Sequence, residues 1–174
     1  MKAKWYGIYT KPNCEKKVAE LLNRKGIENY YPSIVLRSTL NFIKKNSHQP
    51  LFPSYVFVKV EEEQLKSIRN FPGIINFLFW LGQPVVIQDS EIEIMKTISS
   101  ENPGIKIQKT KINFRKISDG PKVSSVEVDG IQTFKVTLRS IGYHMITQIE
   151  SPKLTIISAL QNNYKPSPEP QLRG

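Results

Sequence analysis

Apolar residues recur along this chain with two periods, and the places where the period changes mark the elements. Residues 5–10, WYGIYT, are aromatic and β-favouring and predict a first strand, which Pro12 and Asn13 break. Val18, Leu21 and Leu22 then share one face, predicting a helix over 14–25 with Asn13 as its cap, Glu15 in its first turn and Gly26 as its stop. ENYYPSIVLRS (28–38) predicts a second strand, and the polar, basic TLNFIKKNSHQ (39–49) a loop or hairpin tip. In LFPSYVFV (51–58) the proline fits only the mouth of a strand, so Phe52, Pro53 and Tyr55 sit stiffly at its start. Val56, Val58 and Val60 alternate with Tyr55 and Phe57, apolar on both faces, which predicts a central strand over 55–60.

Residues 61–70 predict a short helix, acidic at its start, that buries Leu65 and Ile68 and stops at Pro72 and Gly73. IINFLFWL (74–81) is an apolar run of strand length, followed by a turn at 82–84 and a strand at 85–87. Ser90 and Glu93 have capping-box spacing ahead of a helix burying Ile94 and Ile98. The order β-α-β-β-α-β-α predicts an α+β domain over 1–99, an antiparallel sheet with flanking helices and one face partly open. Residues 100–110 read as a linker. Beyond it, five short β-like runs with turns between them, one at Asp129-Gly130, predict a small β-barrel over 111–160. The Pro-rich, polar residues 161–174 predict a disordered tail.

Charge narrows the class of partner. The 174-residue chain carries a formal net charge of +10. The excess is spread, with 14 basic against 9 acidic residues up to residue 100 and 11 against 6 after it. Such a field favours a polyanion, nucleic acid first, with a plain solubility role as the other reading. One cysteine, Cys14, excludes an internal disulfide and fits a reducing compartment. No apolar run is long enough to span a bilayer, and the N-terminus does not read as a signal peptide, so the expectation is a cytoplasmic protein.

Catalytic chemistry finds no support in the pattern. Two histidines, His48 and His144, and one cysteine make neither a nucleophile–base pair nor a metal cluster, and no phosphate-binding glycine motif is present. The reading is a binding protein without enzyme activity or cofactor. Many aromatics belong to the core, but those on the sheet face left open by the helices suit base stacking or a protein hot spot. Lys11, Lys16, Lys17, Arg24, Lys25, Lys44 and Lys45 border that region in sequence, as phosphate contacts or as solvated surface.

Six short motifs, taken in order, resemble one family. They are W-Y-x-x-Y-T at 5–10, E-K-K-V-x-x-x-L at 15–22, G-I-E-x-Y-x-P at 26–32, P-L-F-P-S-Y-V-F-V at 50–58, P-G-I at 72–74 followed by Phe77, and D-x-E-I at 89–92. Together they are similar to the N-terminal domain of NusG-family transcription elongation factors, most closely the specialised RfaH-like antiterminators and UpxY-type regulators of capsular polysaccharide operons. The family's second domain is a five-stranded KOW (SH3-like) barrel opening near a G-P-[FL]-x-G turn. Here D-G-P-K-V (119–123) keeps Gly120 and Pro121 but lacks the rest of that turn, while 136–149 resembles the later strands of the specialised members.

The resemblance implies a monomer that binds bacterial RNA polymerase and suppresses pausing and termination at target operons. Tyr9, Phe52, Pro53, Tyr55 and Phe77 would form the apolar pocket for the polymerase clamp's coiled coil. Lys66, Ser67 and Arg69 would reach the opposite jaw. Lys11, Arg24 and Lys25 would meet the non-template DNA strand, with nascent leader RNA as the other recruiting signal. The barrel would take a ribosomal protein or a termination factor. A general elongation factor and a KOW-type RNA- or ribosome-binding module are the competing readings. The irregular turn at 119–123 favours the specialised factor over the general one.

Overall fold

The computed structural model describes residues 2–40, 43–101, 104–110, 120–128 and 131–149. The N-terminal half is built on an antiparallel sheet. Its centre is β1 (Lys4–Thr10), paired along its length with β5 (Tyr55–Val60). Beyond β5 lies β2 (Asn29–Tyr30), and on the far side of β1 lie β6 (Ile74–Phe77) and β9 (Val86–Ile87). Alternation along β1 and β5 sends their side chains to two different layers. Tyr6, Ile8, Val56, Val58 and Val60 pack with Val18, Ala19 and Leu22 of α1 (Glu15–Arg24) and with Leu65 and Ile68 of α2 (Leu65–Ile68). Trp5 and Phe57 face the opposite layer, which contains Ile92, Met95 and Ile98 of α3 (Asp89–Glu101).

Several elements differ from the sequence expectation for local physical reasons. Helix α1 starts at Glu15 without a side-chain cap, and Asn13, the expected cap, instead takes φ +60° in the preceding turn. The expected strand over 28–38 is broken at Tyr31-Pro32. After the break, β3 (Ser33–Leu40) pairs with β4 (Ile43–Pro50) as a two-stranded hairpin, so most of the expected loop at 39–49 is a strand. The run 74–81 is also divided. Leu78 donates its N–H to Gly7 O and accepts from Val85 N–H, both at 2.8 Å. The chain then turns out through the short hairpin β7 (Phe79–Trp80) and β8 (Gln83–Pro84), with Leu81 and Gly82 left-handed at its tip. Gly73 approaches α1 closely: a Cβ there would sit 3.0 Å from Val18 Cγ2, and its φ is +89°.

The expected linker contributes to the second sheet. Helix α3 extends to Glu101, and β10 (Lys106–Lys109) pairs with β13 (Tyr143–Ile149). With β11 (Lys122–Val128) and β12 (Ile131–Leu138), these form a four-stranded antiparallel sheet in the order β10-β13-β12-β11. Strands β11 and β12 pair antiparallel up to Val128 and Ile131, and the turn predicted at Asp129-Gly130 lies outside the described residues. The runs expected at 111–117 and 154–158, and the tail at 161–174, lie outside the described residues.

The two halves share one apolar cluster. Val136, Leu138, Ile141, Tyr143 and Met145 of the C-terminal sheet join Phe52, Phe57, Ile92 and Met95 of the N-terminal half. The sheet face expected to be partly open packs against α3 and this second sheet, and is open at the exposed Tyr9.

Candidate functional site: an aromatic face under the C-terminal sheet

The turn that opens β5 explains why LFPSY begins with a proline. Tyr55 N–H donates to Phe52 O at 3.1 Å, closing a turn with Pro53 second and Ser54 third. Ser54 has φ +67°. Proline at the second position and a left-handed residue at the third are the signature of a type II turn, which ordinarily prefers glycine where this chain has serine. Leu51 N–H is held by Pro32 O at 2.9 Å, and Thr10 N–H donates to Ser54 O at 2.8 Å. The turn is thereby fixed to its neighbours on both sides.

From this turn, three of the predicted residues come together. Tyr9 and Tyr55 are cross-strand partners whose rings meet edge to face at 5.6 Å. Phe52 is fully buried and meets Phe57 at 6.3 Å. Tyr9 is 44% exposed, so this end of the face reaches solvent. Pro53 is exposed on the rim of the turn. Phe77, the fifth predicted pocket residue, does not join them. It pairs with Ile8 in the sheet and is buried among the residues that pack on α1 and α2, on the other side of the sheet. Its place in the family motif gave the expectation, whereas the register of β6 against β1 decides which layer it joins.

A residue that sequence reasoning missed completes the site. Tyr143, at the start of β13, packs edge to face on Phe52 at 5.2 Å and on Tyr55 at 6.1 Å. Burial pushes the Tyr55 phenol up, and neighbouring Tyr143 and Tyr9 add to the effect. Tyr143 is likewise raised by burial and then by Tyr9. The raised Tyr55 and Tyr143 phenols are thus neutral where they meet.

One polar contact crosses the same interface. Glu91, in the first turn of α3, is fully buried, and its Oε1 accepts the Ser140 N–H at 3.0 Å. Its Oε2 and the Ser140 hydroxyl have no hydrogen-bond partner of good geometry. Burial raises the Glu91 carboxyl above its ordinary value. The nearby Ser140 hydroxyl and the backbone N–H groups of Ser140, Arg139 and Gln88 pull it back. The turn at 139–142 was legible only as a strand break, with no sequence sign that it would meet α3.

The predicted basic residues lie elsewhere. Lys11 is exposed just after β1, with its backbone N–H on Gly73 O at 2.8 Å. Arg24 and Lys25 are exposed at the other end of α1. The helix between them places the two groups about 15 Å apart along its axis, at 1.5 Å per residue. Lys16 and Lys17 are exposed on the same helix, with Lys16 4.0 Å from Glu20. Lys66, Ser67 and Arg69 are exposed around α2, whose Leu65 and Ile68 turn inward. Among the described residues no cluster of His, Cys, Asp and Glu could hold a metal ion, and no helix is long and apolar enough to cross a membrane.

A family model described as "Transcription termination factor nusG" matches residues 3–96, more than half of the chain. The protein belongs to the NusG family, whose members are non-enzymatic transcription factors that bind RNA polymerase. Among solved structures, one of NusG from Thermotoga maritima, concerned with domain interaction in that protein, is 18% identical with a TM-score of 0.45, over 86% of this chain and 94% of that one.

Proposed function

We propose that this chain is a specialised elongation and antitermination factor of the RfaH/UpxY type, acting at polysaccharide operons, and that Tyr9, Phe52 and Tyr55 dock on the polymerase clamp's coiled coil. The observation that carries this reading is the rigid aromatic turn at 52–55 in a NusG-family domain. A preordered apolar anchor beside an exposed rim is what a hot spot requires, because little entropy is lost on docking. Lys66, Ser67 and Arg69 would reach the opposite jaw. A factor that bridges both jaws binds the closed polymerase better than the opened, paused one, and so shifts that equilibrium without catalysis.

Lys11, Arg24 and Lys25, exposed at the two ends of α1, suit the phosphates of a displaced non-template strand. Nascent leader RNA is the alternative recruiting signal. Residues 1–99 serve as the polymerase-binding unit, and the sheet from β10 onward belongs to a KOW-like barrel for a ribosomal protein or termination factor. The departure of residues 119–123 from the regular family turn favours a specialised over a general factor.

In the structure Tyr143 occupies the surface on which the coiled coil would dock. Polymerase binding on this reading requires the C-terminal sheet to move aside. The test is polymerase affinity of the full-length chain with Tyr55→Ala or with Tyr143→Ala, which should move in opposite directions.

A further inference from the structure

The buried Glu15 has no part in the docking face by position, since it opens α1 in the helical layer. Its carboxylate nevertheless reaches the turn that builds that face. Glu15 Oε1 accepts the Ser54 N–H at 2.7 Å, and the residue is only 5% exposed. Ser54 is the left-handed third residue of the Phe52–Tyr55 turn, at φ +67°. A side chain with a Cβ resists that conformation, whereas glycine takes it freely. A short bond from a backbone N–H to a carboxylate is stronger than one to a neutral acceptor. Both peptide groups of Ser54 are thus held, the N–H by Glu15 and the carbonyl by Thr10 N–H at 2.8 Å.

We infer that Glu15 is a positioning residue for polymerase docking: its bond to the Ser54 amide holds a strained turn in the one conformation that presents Phe52 and Tyr55 together. This rests on the docking reading above. Cys14, the residue before Glu15, lies next to the Gly73 turn, its Cβ 3.4 Å from where a Cβ on Gly73 would sit, so the start of α1 is packed against a second turn as well. Released from Glu15, the serine has reason to leave the left-handed region, and Tyr55 would swing with it.

The test uses the full-length chain carrying Tyr143→Ala, so that the C-terminal sheet does not compete for the face, with bacterial RNA polymerase as the probe and thermal unfolding as the check on folding. Glu15→Ala should weaken binding about tenfold, less than the roughly 30-fold loss of removing a hot-spot residue itself, because it acts through the turn. Glu15→Gln, which keeps an acceptor in place, should stay within about threefold of the parent. Ser54→Gly added to Glu15→Ala should recover most of the loss, because glycine takes the left-handed conformation without the Cβ strain that Glu15 offsets. Glu15→Asp keeps the charge but shortens the reach by one methylene, and it carries the same expectation as alanine should the alanine variant not fold.

Unchanged affinity in the folded Glu15 variants overturns the inference. So does a loss that Ser54→Gly fails to recover, which is what a plain packing role would give. Tyr55→Ala in the same background separates the two readings. If it has no effect, the docking reading falls and this inference with it. If it weakens binding while Glu15→Ala does not, only the role of Glu15 falls.

Discussion

Phe52 and Tyr143 meet edge to face with ring centroids 5.2 Å apart, one in the turn before β5 and the other at the start of β13. Each ring covers the other. Phe52 is 1% exposed and Tyr143 7% exposed, so neither can meet a partner without the contact parting. The surface proposed to bind polymerase is therefore also one at which the two halves of the chain meet.

The Glu91 carboxylate gives that interface a pH dependence of predictable sign. Burial raises its pKa above the ordinary 4.5, so the folded closed form binds a proton more tightly than the unfolded chain does. Its contribution to stability is fully present below 4.5 and is lost as pH rises through the raised folded value. Glu91→Gln keeps an acceptor for the Ser140 N–H but cannot ionise. Thermal midpoints of the two proteins should agree near pH 4 and separate as pH rises towards about 8, with the glutamine form the more stable. His144, lowered by burial and by Lys135, titrates in both proteins and cancels in the difference.

Phe77 and Tyr9 should behave as members of different layers. Phe77 is 4% exposed beneath the helical face, and Phe77→Ala should cost about 3–5 kcal/mol of stability in urea unfolding. Tyr9 is 44% exposed, and Tyr9→Ala should cost less than about 1 kcal/mol while weakening polymerase binding. Equal losses of stability would place both residues in the core.

The exposed cations before and at the end of α1 make a separate prediction about nucleic acid. Lys11→Ala and Arg24→Ala should each flatten the slope of log affinity against log salt for single-stranded DNA by about 0.7. A slope that does not move would make these residues solvated surface only.

Much of the N-terminal half was legible in the sequence, because period and punctuation there agree. The two-residue alternation of Tyr55–Val60 correctly sorted Val56, Val58 and Val60 from Tyr55 and Phe57. The spacing of Val18 and Leu22 gave the buried face of α1. Local signals failed where long-range pairing decides. The basic stretch after Leu40 reads as a loop by composition, yet β3 recruits it as a strand from Ile43. Phe77 carries no mark of which layer it joins, since its pairing with Ile8 across the sheet decides that. Nothing in the composition of residues 136–145 says that Tyr143 and Ser140 meet Phe52 and Glu91, because those contacts join residues far apart in sequence. Pro53-Ser54 carries proline's turn preference in sequence, but the left-handed Ser54 and its bond to Glu15 emerge only from the fold.

The most direct test of the account is the affinity of full-length protein for bacterial RNA polymerase, compared among wild type, Tyr55→Ala and Tyr143→Ala. Tyr55 and Tyr143 touch, with centroids 6.1 Å apart, so a role confined to packing would make the two substitutions act alike. Tyr55→Ala should weaken binding by about 2 kcal/mol or more, while Tyr143→Ala should strengthen it by uncovering the face. Two folded variants that both lose binding, or that both leave it unchanged, would contradict the account.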